Sequence, residues 1–117
     1  MEIDPILDYC KATYGTLPDR PWMKYPDYLV FRHADTGKWY MLIMEISAQK
    51  LGLASDEPKW VANLKCPPTQ IDDLVQKPGI LHAYHMNKKH WISVLLDGTV
   101  AQAEIQDLID QSYELTE

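Results

Sequence analysis

Most side chains that could do binding chemistry are gathered in one stretch of the chain, residues 80–98. This stretch holds three of the four histidines and a pair of lysines, Lys88 and Lys89. Ammonium groups bind phosphates and carboxylates, and imidazole can accept or donate a proton near neutral pH. The stretch therefore has the chemistry of an anion-binding or acid–base site, although its pattern specifies no reaction.

One use of this stretch is contact with nucleic acid. Asn87, Lys88 and Lys89 are predicted to form the tip of a hairpin, with Trp91 beside them. Lysines on a protruding turn contact phosphates, asparagine reads an adenine edge, and tryptophan stacks on an exposed base. Lys65, at the end of a neighbouring predicted strand, would extend this patch.

A second predicted hairpin carries Arg32 and Lys38, which would supply further phosphate contacts. The overall charge opposes this hypothesis, because 11 Lys and Arg residues against 17 Asp and Glu residues give a net charge of −6. An acidic protein repels phosphate backbones at long range, so binding would depend on a local basic patch. The alternative is that residues 87–89 form only a solvated turn and that Trp91 belongs to the core.

A ligand pocket is the rival interpretation of the same stretch. His85 and His90 flank one predicted turn, and with Tyr84 and Lys65 they would form an anion cradle or an acid–base pair. No motif places a nucleophile beside both a histidine and a carboxylate, and neither a phosphate-binding glycine loop nor a dinucleotide fingerprint occurs. We therefore expect no catalysis and no cofactor. The pocket would serve a small-molecule or protein-interaction domain.

Metal binding is not expected. His82 and His85 are three residues apart on a predicted strand, so their side chains should point to opposite faces. The chain has two cysteines, Cys10 and Cys66, and no CxxC pair. Each thiol is expected to be a small core group of a protein in a reducing compartment.

Aromatic residues raise a further possibility, a contact surface for a protein partner. The chain has four tryptophans and seven tyrosines, more than a core of this size needs. The alternative is that their rings pack the sheet against the helices. The tryptophans concerned are Trp22, Trp39 and Trp60.

Apolar periodicity predicts an α+β fold. Three helices and about five strands are expected in the order α-β-β-β-α-β-β-α, within a single domain over residues 1–117. Short turns join the strand pairs, which makes the sheet antiparallel. One strand is expected to run over residues 80–86, and Thr69 and Thr99 are expected to cap the second and third helices.

The chain lacks the features of a membrane or exported protein. Its longest apolar runs are far shorter than the roughly 20 residues of a membrane helix, and its acidic start lacks the layout of a signal peptide. We therefore expect a cytoplasmic protein without membrane contact, and we expect it to be a monomer.

Four segments together resemble the MmcQ/YjbR family of small bacterial proteins. They are LKC at residues 64–66, AYHMNKKHW at 83–91, LDGT at 96–99 and DLIDQSYEL at 107–115. The similarity runs from the first helix to the end of the chain, and YHMNKKHW is its most specific part. The resemblance implies a saddle-shaped "double-wing" α+β fold and DNA as a ligand, with the two hairpins as the wings; this is a likeness of fold, and fold alone does not establish function.

Overall fold

The computed structural model describes residues 3–25 and 28–117. Within this part of the chain the helices are α1 (Asp4–Tyr14), α2 (Pro68–Leu74) and α3 (Gln102–Leu115), and a 3-10 turn spans Ala48–Leu51. One antiparallel sheet contains β1 (Leu29–Arg32), β2 (Trp39–Ser47), β3 (Pro58–Lys65), β4 (Ile80–His82) and β5 (Trp91–Leu95). The predicted α+β order of three helices and five strands is confirmed.

The strands are arranged in the order β1-β2-β3-β5-β4. After β3 the chain passes through α2 and forms β4 at the far edge, and β5 then returns between β3 and β4. β5 thus pairs with β3 on one side, where Lys65 lies opposite Trp91, and with β4 on the other, where His82 lies opposite Ile92. This order brings the end of β3 next to the start of β5.

All three helices pack on one face of the sheet, which we call the helix face. Side chains alternate along a strand, and on β3 this places Ala62 and Leu64 in the helix-face core and Val61 in the opposite core. The helices contribute apolar stripes at helical spacing. Their buried residues are Ile6 and Cys10 of α1, Ile71 of α2, and Ile105, Leu108, Ile109 and Ser112 of α3.

The other face of the sheet is also apolar, and loops cover it instead of helices; we call it the loop face. Val30, Leu42, Met44 and Val61 form its centre, and each is almost fully buried. Three separate loops supply the cover. Their packing residues are Trp22 and Tyr28 before β1, Leu51 and Leu53 after β2, and Tyr84 and Met86 after β4.

The strand expected over residues 80–86 is wrong beyond its third residue, because the chain turns across the loop face at Tyr84. Asn63 and Ser93, directly opposite each other on β3 and β5, are completely buried there. The Ser93 hydroxyl accepts the Tyr84 N–H (2.9 Å) and donates to Asn63 Oδ1 (2.5 Å). Asn63 Nδ2 donates to the Tyr84 carbonyl (2.8 Å). Since both backbone groups of Tyr84 are bonded to these side chains, residues 83–90 form a loop.

The expected threonine caps are also wrong. α2 begins after Pro67 and α3 after Ala101, and neither helix has a side-chain cap hydrogen bond. Proline fits the start of α2 because its missing N–H has no partner in a first turn. The Thr99 hydroxyl instead donates to Asp97 Oδ1 (2.6 Å), so its side chain stabilises the turn that follows β5.

Candidate functional site

The 83–90 loop divides the charged surface into two cavities. The first, which we call the tryptophan cleft, has a volume of about 360 Å³. It is lined by Lys38, Trp39, Lys65, Met86, Trp91, Leu115 and Thr116. The second, the histidine cleft, has a volume of about 250 Å³. It is lined by Pro68, Ile71, Asp72, His82, Lys88, Lys89 and His90.

The end of the β2–β3 ladder shapes the tryptophan cleft. The β2–β3 register ends at Met41 opposite Leu64, so the next pair, Tyr40 and Lys65, lies beyond the regular ladder. The Ser112 hydroxyl of α3 donates to the Tyr40 carbonyl (2.5 Å) and accepts the Lys65 N–H (2.9 Å). The hydroxyl thus bridges β2 and β3, and it fixes the backbone of Lys65 opposite Trp91.

Trp39 is held in place from two sides. The Arg32 guanidinium lies 5.5 Å from the centre of the Trp39 ring, within the range of a cation–π contact. The Trp22 ring meets Trp39 edge-on, with 5.7 Å between the ring centroids. Arg32 Nε also donates to Asp19 Oδ2 at 2.7 Å. The charge of Arg32 therefore already has a counter-ion, and its contact with Trp39 helps to position the ring.

The far wall of the tryptophan cleft is the end of α3. The Thr116 hydroxyl donates to the Ser112 carbonyl (2.8 Å), and it shares a second hydrogen bond of 2.7 Å with Nε2 of the buried His33. The tautomer of His33 sets which of the two groups donates in that bond. Leu115, 42% exposed, forms the apolar rim.

Two lysines give the tryptophan cleft its charge. Lys65 is half-buried and Lys38 is exposed, and neither forms an ion pair with a described carboxylate. Trp39 and Trp91 are both half-buried, so part of each ring remains accessible. The cleft can therefore hold a planar group against an indole ring and an anionic group against an ammonium.

Hydrogen bonds to backbone groups order the basic side of the histidine cleft. Lys88 Nζ donates to the Ala83 carbonyl (2.8 Å), which holds this ammonium across the 83–90 loop. The Lys89 N–H donates to Asn87 Oδ1 (2.8 Å), and the His90 N–H donates to the Asn87 carbonyl (3.2 Å). Asn87 thus uses both of its carbonyl oxygens within the turn, and its side-chain NH₂ can serve other partners.

The six residues considered for nucleic-acid contact are divided between these places. Lys65 and Trp91 lie in the tryptophan cleft, and Arg32 braces that cleft from behind Trp39. The remaining three belong to the turn and to the histidine cleft. They are Asn87, Lys88 and Lys89.

The three residues considered for a ligand pocket are likewise separated. His90 lines the histidine cleft, whereas Tyr84 lines an adjoining cavity of about 300 Å³. His85 lines neither cavity; its ring lies 3.9 Å from the Tyr84 ring, and its φ of 62° places it in the left-handed region. The histidine that shares a cavity with His90 is His82, which we had considered only as a metal ligand.

A tyrosine cluster between α1 and α3 has a structural explanation. The Tyr9 hydroxyl donates to Asp110 Oδ1 (2.7 Å), and the Tyr14 hydroxyl donates to the same oxygen. Burial raises the pKa of Tyr14, and the bond to Asp110 and the charge of that carboxylate raise it further. Because Asp110 receives both hydroxyls, we assign the cluster to helix packing.

Membrane-spanning helices and metal clusters are absent from the part of the chain that the structure describes. No helix there has the length and apolar character needed to cross a bilayer. No group of three or more His, Cys, Asp or Glu side chains there is arranged to hold a metal ion. Cys10 and Cys66 are both buried free thiols.

Sequence reasoning missed several lining residues. Met86, Leu115 and Thr116 reach the tryptophan cleft, and Asp72 reaches the histidine cleft. No local signal marks them, since each becomes a neighbour only through the sheet order and the docking of α2 and α3. One signal was available for the 83–90 loop: Asn63 is a polar residue within an apolar alternation.

Comparison with known proteins places the chain among small bacterial proteins. The family model described as YjbR matches residues 11–115. The chain is 47% identical over 113 residues to the uncharacterized protein YyaQ of Bacillus subtilis (strain 168), covering 97% of this chain and 96% of that protein. It is 37% identical over 95 residues to the uncharacterized protein YbdF of Escherichia coli O157:H7, covering 80% of this chain and 68% of that protein.

Solved structures share the fold. A crystal structure of a Pseudomonas syringae protein superposes with a TM-score of 0.97 at 49% identity, covering 100% of both chains. The crystal structure of a Deinococcus radiodurans protein, described as a DUF419 domain, superposes with a TM-score of 0.72 at 27% identity, covering 97% of this chain and 76% of that one. Because the family model matches most of this chain, residues 11–115, the chain belongs to the YjbR family.

Proposed function

We propose that the protein is a non-catalytic binding module for single-stranded nucleic acid, with the tryptophan cleft as its contact site. The observation behind this proposal is that two half-buried tryptophans share one cleft with two lysines that have no carboxylate partner among the described residues. Indole rings stack on unpaired bases, and ammonium groups neutralise phosphates. The cleft offers both contacts to one nucleotide unit.

An unpaired strand fits these observations better than a duplex. A volume of about 360 Å³ lies at the small end of ligand sites, roughly 300–1,000 Å³. Bases inside a duplex are stacked on one another and cannot enter such a cleft. The net charge of −6 and the division of the cations between two clefts also disfavour tracking along a duplex, which carries one charge per roughly 1.7 Å. DNA is the ligand that the family resemblance implies, so unpaired DNA is the first probe.

The experiment is a salt titration with a deoxythymidine oligonucleotide of about 10 nucleotides, a length within the known range of single-strand sites. Two phosphate contacts to a single strand give a slope of about −1.4 in a plot of log affinity against log salt. We therefore expect the affinity to fall about sevenfold between about 50 and 200 mM salt. Absence of binding at the lower salt would refute the proposal.

Matched variants locate the contact. Lys38→Ala/Lys65→Ala should flatten the salt dependence and weaken binding. Lys11→Ala/Lys24→Ala removes the same charge from exposed positions on α1 and in the loop before β1, and it should bind like the wild type. Equal weakening of both double variants would mean that binding follows the overall charge and that the cleft is not the site.

Stacking is tested separately at Trp91. Loss of one base-stacking ring costs about 1–3 kcal/mol, so Trp91→Leu should bind roughly 5- to 150-fold more weakly. Trp91→Tyr keeps an aromatic face and should retain most of the affinity. Thermal unfolding of both variants, measured in parallel, separates lost stacking from lost folding.

A further inference from the structure

The histidine cleft lies apart from the proposed nucleic-acid site, on the helix face beside α2. Pro68 and Ile71 of α2 give it an apolar floor. Its ionisable lining residues are Asp72, His82, Lys88, Lys89 and His90. A cavity with an apolar floor and a charged rim is a suitable site for a small polar ligand.

Strand pairing brings the two histidines of this cleft together. His82 is the last residue of β4, and it lies opposite Ile92 of β5. His90 is the last residue of the 83–90 loop and directly precedes β5, and it lines the same cavity as His82. Both histidines are exposed. The two histidines thus line one cavity, His82 from the end of β4 and His90 from the loop end that precedes β5.

The cations of the cleft are not matched by anions. Lys88 Nζ is bonded to a backbone carbonyl, which leaves its charge uncompensated. Within residues 3–25 and 28–117, neither Lys88 nor Lys89 forms an ion pair, although Asp72 lines the same cleft. Lys50 adds a further cation in the adjoining cavity, which shares His82 and Lys88 with the cleft. One carboxylate therefore shares the cleft with two lysines and two histidines, and a third lysine lines the adjoining cavity.

We propose that the histidine cleft binds a small divalent oxyanion of the phosphate class, and that it binds this anion more tightly as the pH falls below neutral. Imidazoles gain a positive charge between about pH 8 and pH 5. Lysine and aspartate side chains in general keep their charges over that range. The charged groups that line the cavity of the two histidines are Asp72 from α2 and Lys88 and Lys89 from the 83–90 loop. Lys50 from the 3-10 turn shares the adjoining cavity with His82.

Sulfate is the first probe, because a phosphate ester loses part of its own charge near pH 6 whereas sulfate remains divalent. Sulfate is titrated into the full chain at pH 6 and at pH 8 at constant ionic strength, with backbone amide shifts of residues 82–90 as the readout. We expect saturation at millimolar sulfate at pH 6 and at least tenfold weaker binding at pH 8. Inorganic phosphate should compete for the same site.

Variants test each sign of charge. His82→Gln/His90→Gln changes two exposed side chains and should abolish the pH dependence. Asp72→Asn removes the one carboxylate of the cleft and should tighten sulfate binding severalfold, since one repulsive charge is lost. A purely structural role of Asp72 would not produce tighter binding. Lys11→Ala/Lys24→Ala is the control for overall charge and should leave the affinity unchanged.

Three results would overturn the proposal. The first is the absence of saturable sulfate binding at pH 6. The second is sulfate binding that neither the histidine double variant nor Asp72→Asn changes. The third is sulfate binding that is lost in Lys38→Ala/Lys65→Ala. The last result would place the anion in the tryptophan cleft. Because oligonucleotide binding is measured at different residues, failure of the sulfate site leaves the proposed function standing, and the converse also holds.

Discussion

Replacement of Ser93 by alanine tests how the 83–90 loop is held on the loop face. The Ser93 hydroxyl makes two hydrogen bonds, one accepted from the Tyr84 N–H at 2.9 Å and one donated to Asn63 Oδ1 at 2.5 Å. Ser93 and Asn63 have no accessible surface. Ser93→Ala therefore leaves without a partner one fully buried acceptor, Asn63 Oδ1, and one part-buried donor, the Tyr84 N–H.

The size of the effect follows from those two groups. A buried polar group without a partner costs about 1–3 kcal/mol, and the part-buried Tyr84 N–H is counted at the low end, about 1 kcal/mol. Together with the fully buried Asn63 oxygen, it lowers the free energy of unfolding by about 2–4 kcal/mol. This is a large share of the roughly 5–15 kcal/mol that stabilises a domain. With a urea m-value of about 2 kcal/mol/M, the unfolding midpoint should fall by about 1–2 M.

Urea unfolding followed by tryptophan fluorescence and circular dichroism measures this change, and amide hydrogen exchange shows whether residues 83–90 open locally. Ser47→Ala is the matched control, because the Ser47 hydroxyl makes only a 3.3 Å bond to the Asp56 carbonyl at an exposed strand end. It should cost less than about 0.5 kcal/mol. If Ser93→Ala were as mild as Ser47→Ala, the buried network would not anchor the loop.

Three further predictions concern the core and the backbone. Gly98→Ala should cost only the roughly 1–3 kcal/mol of backbone strain, because Gly98 (φ +92°) has open space around it. Gly79→Ala should cost more, because a Cβ at Gly79 (φ +86°) would also lie 2.7 Å from a valine methyl; thermal melts compare the two variants. Burial and Asp110 raise the pKa of Tyr14 above its value in the unfolded chain, so the protonated hydroxyl contributes fully to stability below about pH 10 and this contribution is lost as the pH rises further. In Tyr14→Phe, the free energy of unfolding measured in urea should therefore fall less steeply at alkaline pH. Burial raises the pKa of Cys10 to about 11, so at pH 8 a thiol reagent should label it no faster than the protein unfolds, as mass spectrometry would show.

The order of elements could be predicted because it depends on local patterns. Alternation along β3 separates Ala62 and Leu64 from Asn63 and Lys65, and the structure keeps that division. Gly15 supplies the left-handed residue that ends α1, with a φ of 67°. Such features need only neighbouring residues, so one sequence is enough to find them.

The extent of β4 could not be predicted, because the groups that end it are distant in the chain. Tyr84 leaves the ladder for hydrogen bonds to Asn63, 21 residues earlier, and to Ser93, 9 residues later. Apolar residues in the 83–90 loop then pack on the loop face and give the same alternation that a strand would give. Burial alone therefore does not distinguish the two structures.

The grouping of the candidate residues depends on the sheet order, which local patterns do not specify. The sequence predicts that Lys65, at the end of a neighbouring strand, extends the patch that contains Lys88. Because β3 lies between β2 and β5, the end of β3 instead meets the start of β2, and Lys65 shares a cleft with Lys38 and Trp39. Lys88 lines the histidine cleft instead.

The measurement that tests the central claim most directly is the shift of the four tryptophan indole N–H signals on titration with the deoxythymidine oligonucleotide. We predict large, saturable shifts for Trp39 and Trp91, smaller ones for Trp22 through its contact with Trp39, and none for Trp60 on the helix face. Saturation with Trp39 and Trp91 unmoved, or equal shifts of all four signals, would contradict binding in the tryptophan cleft.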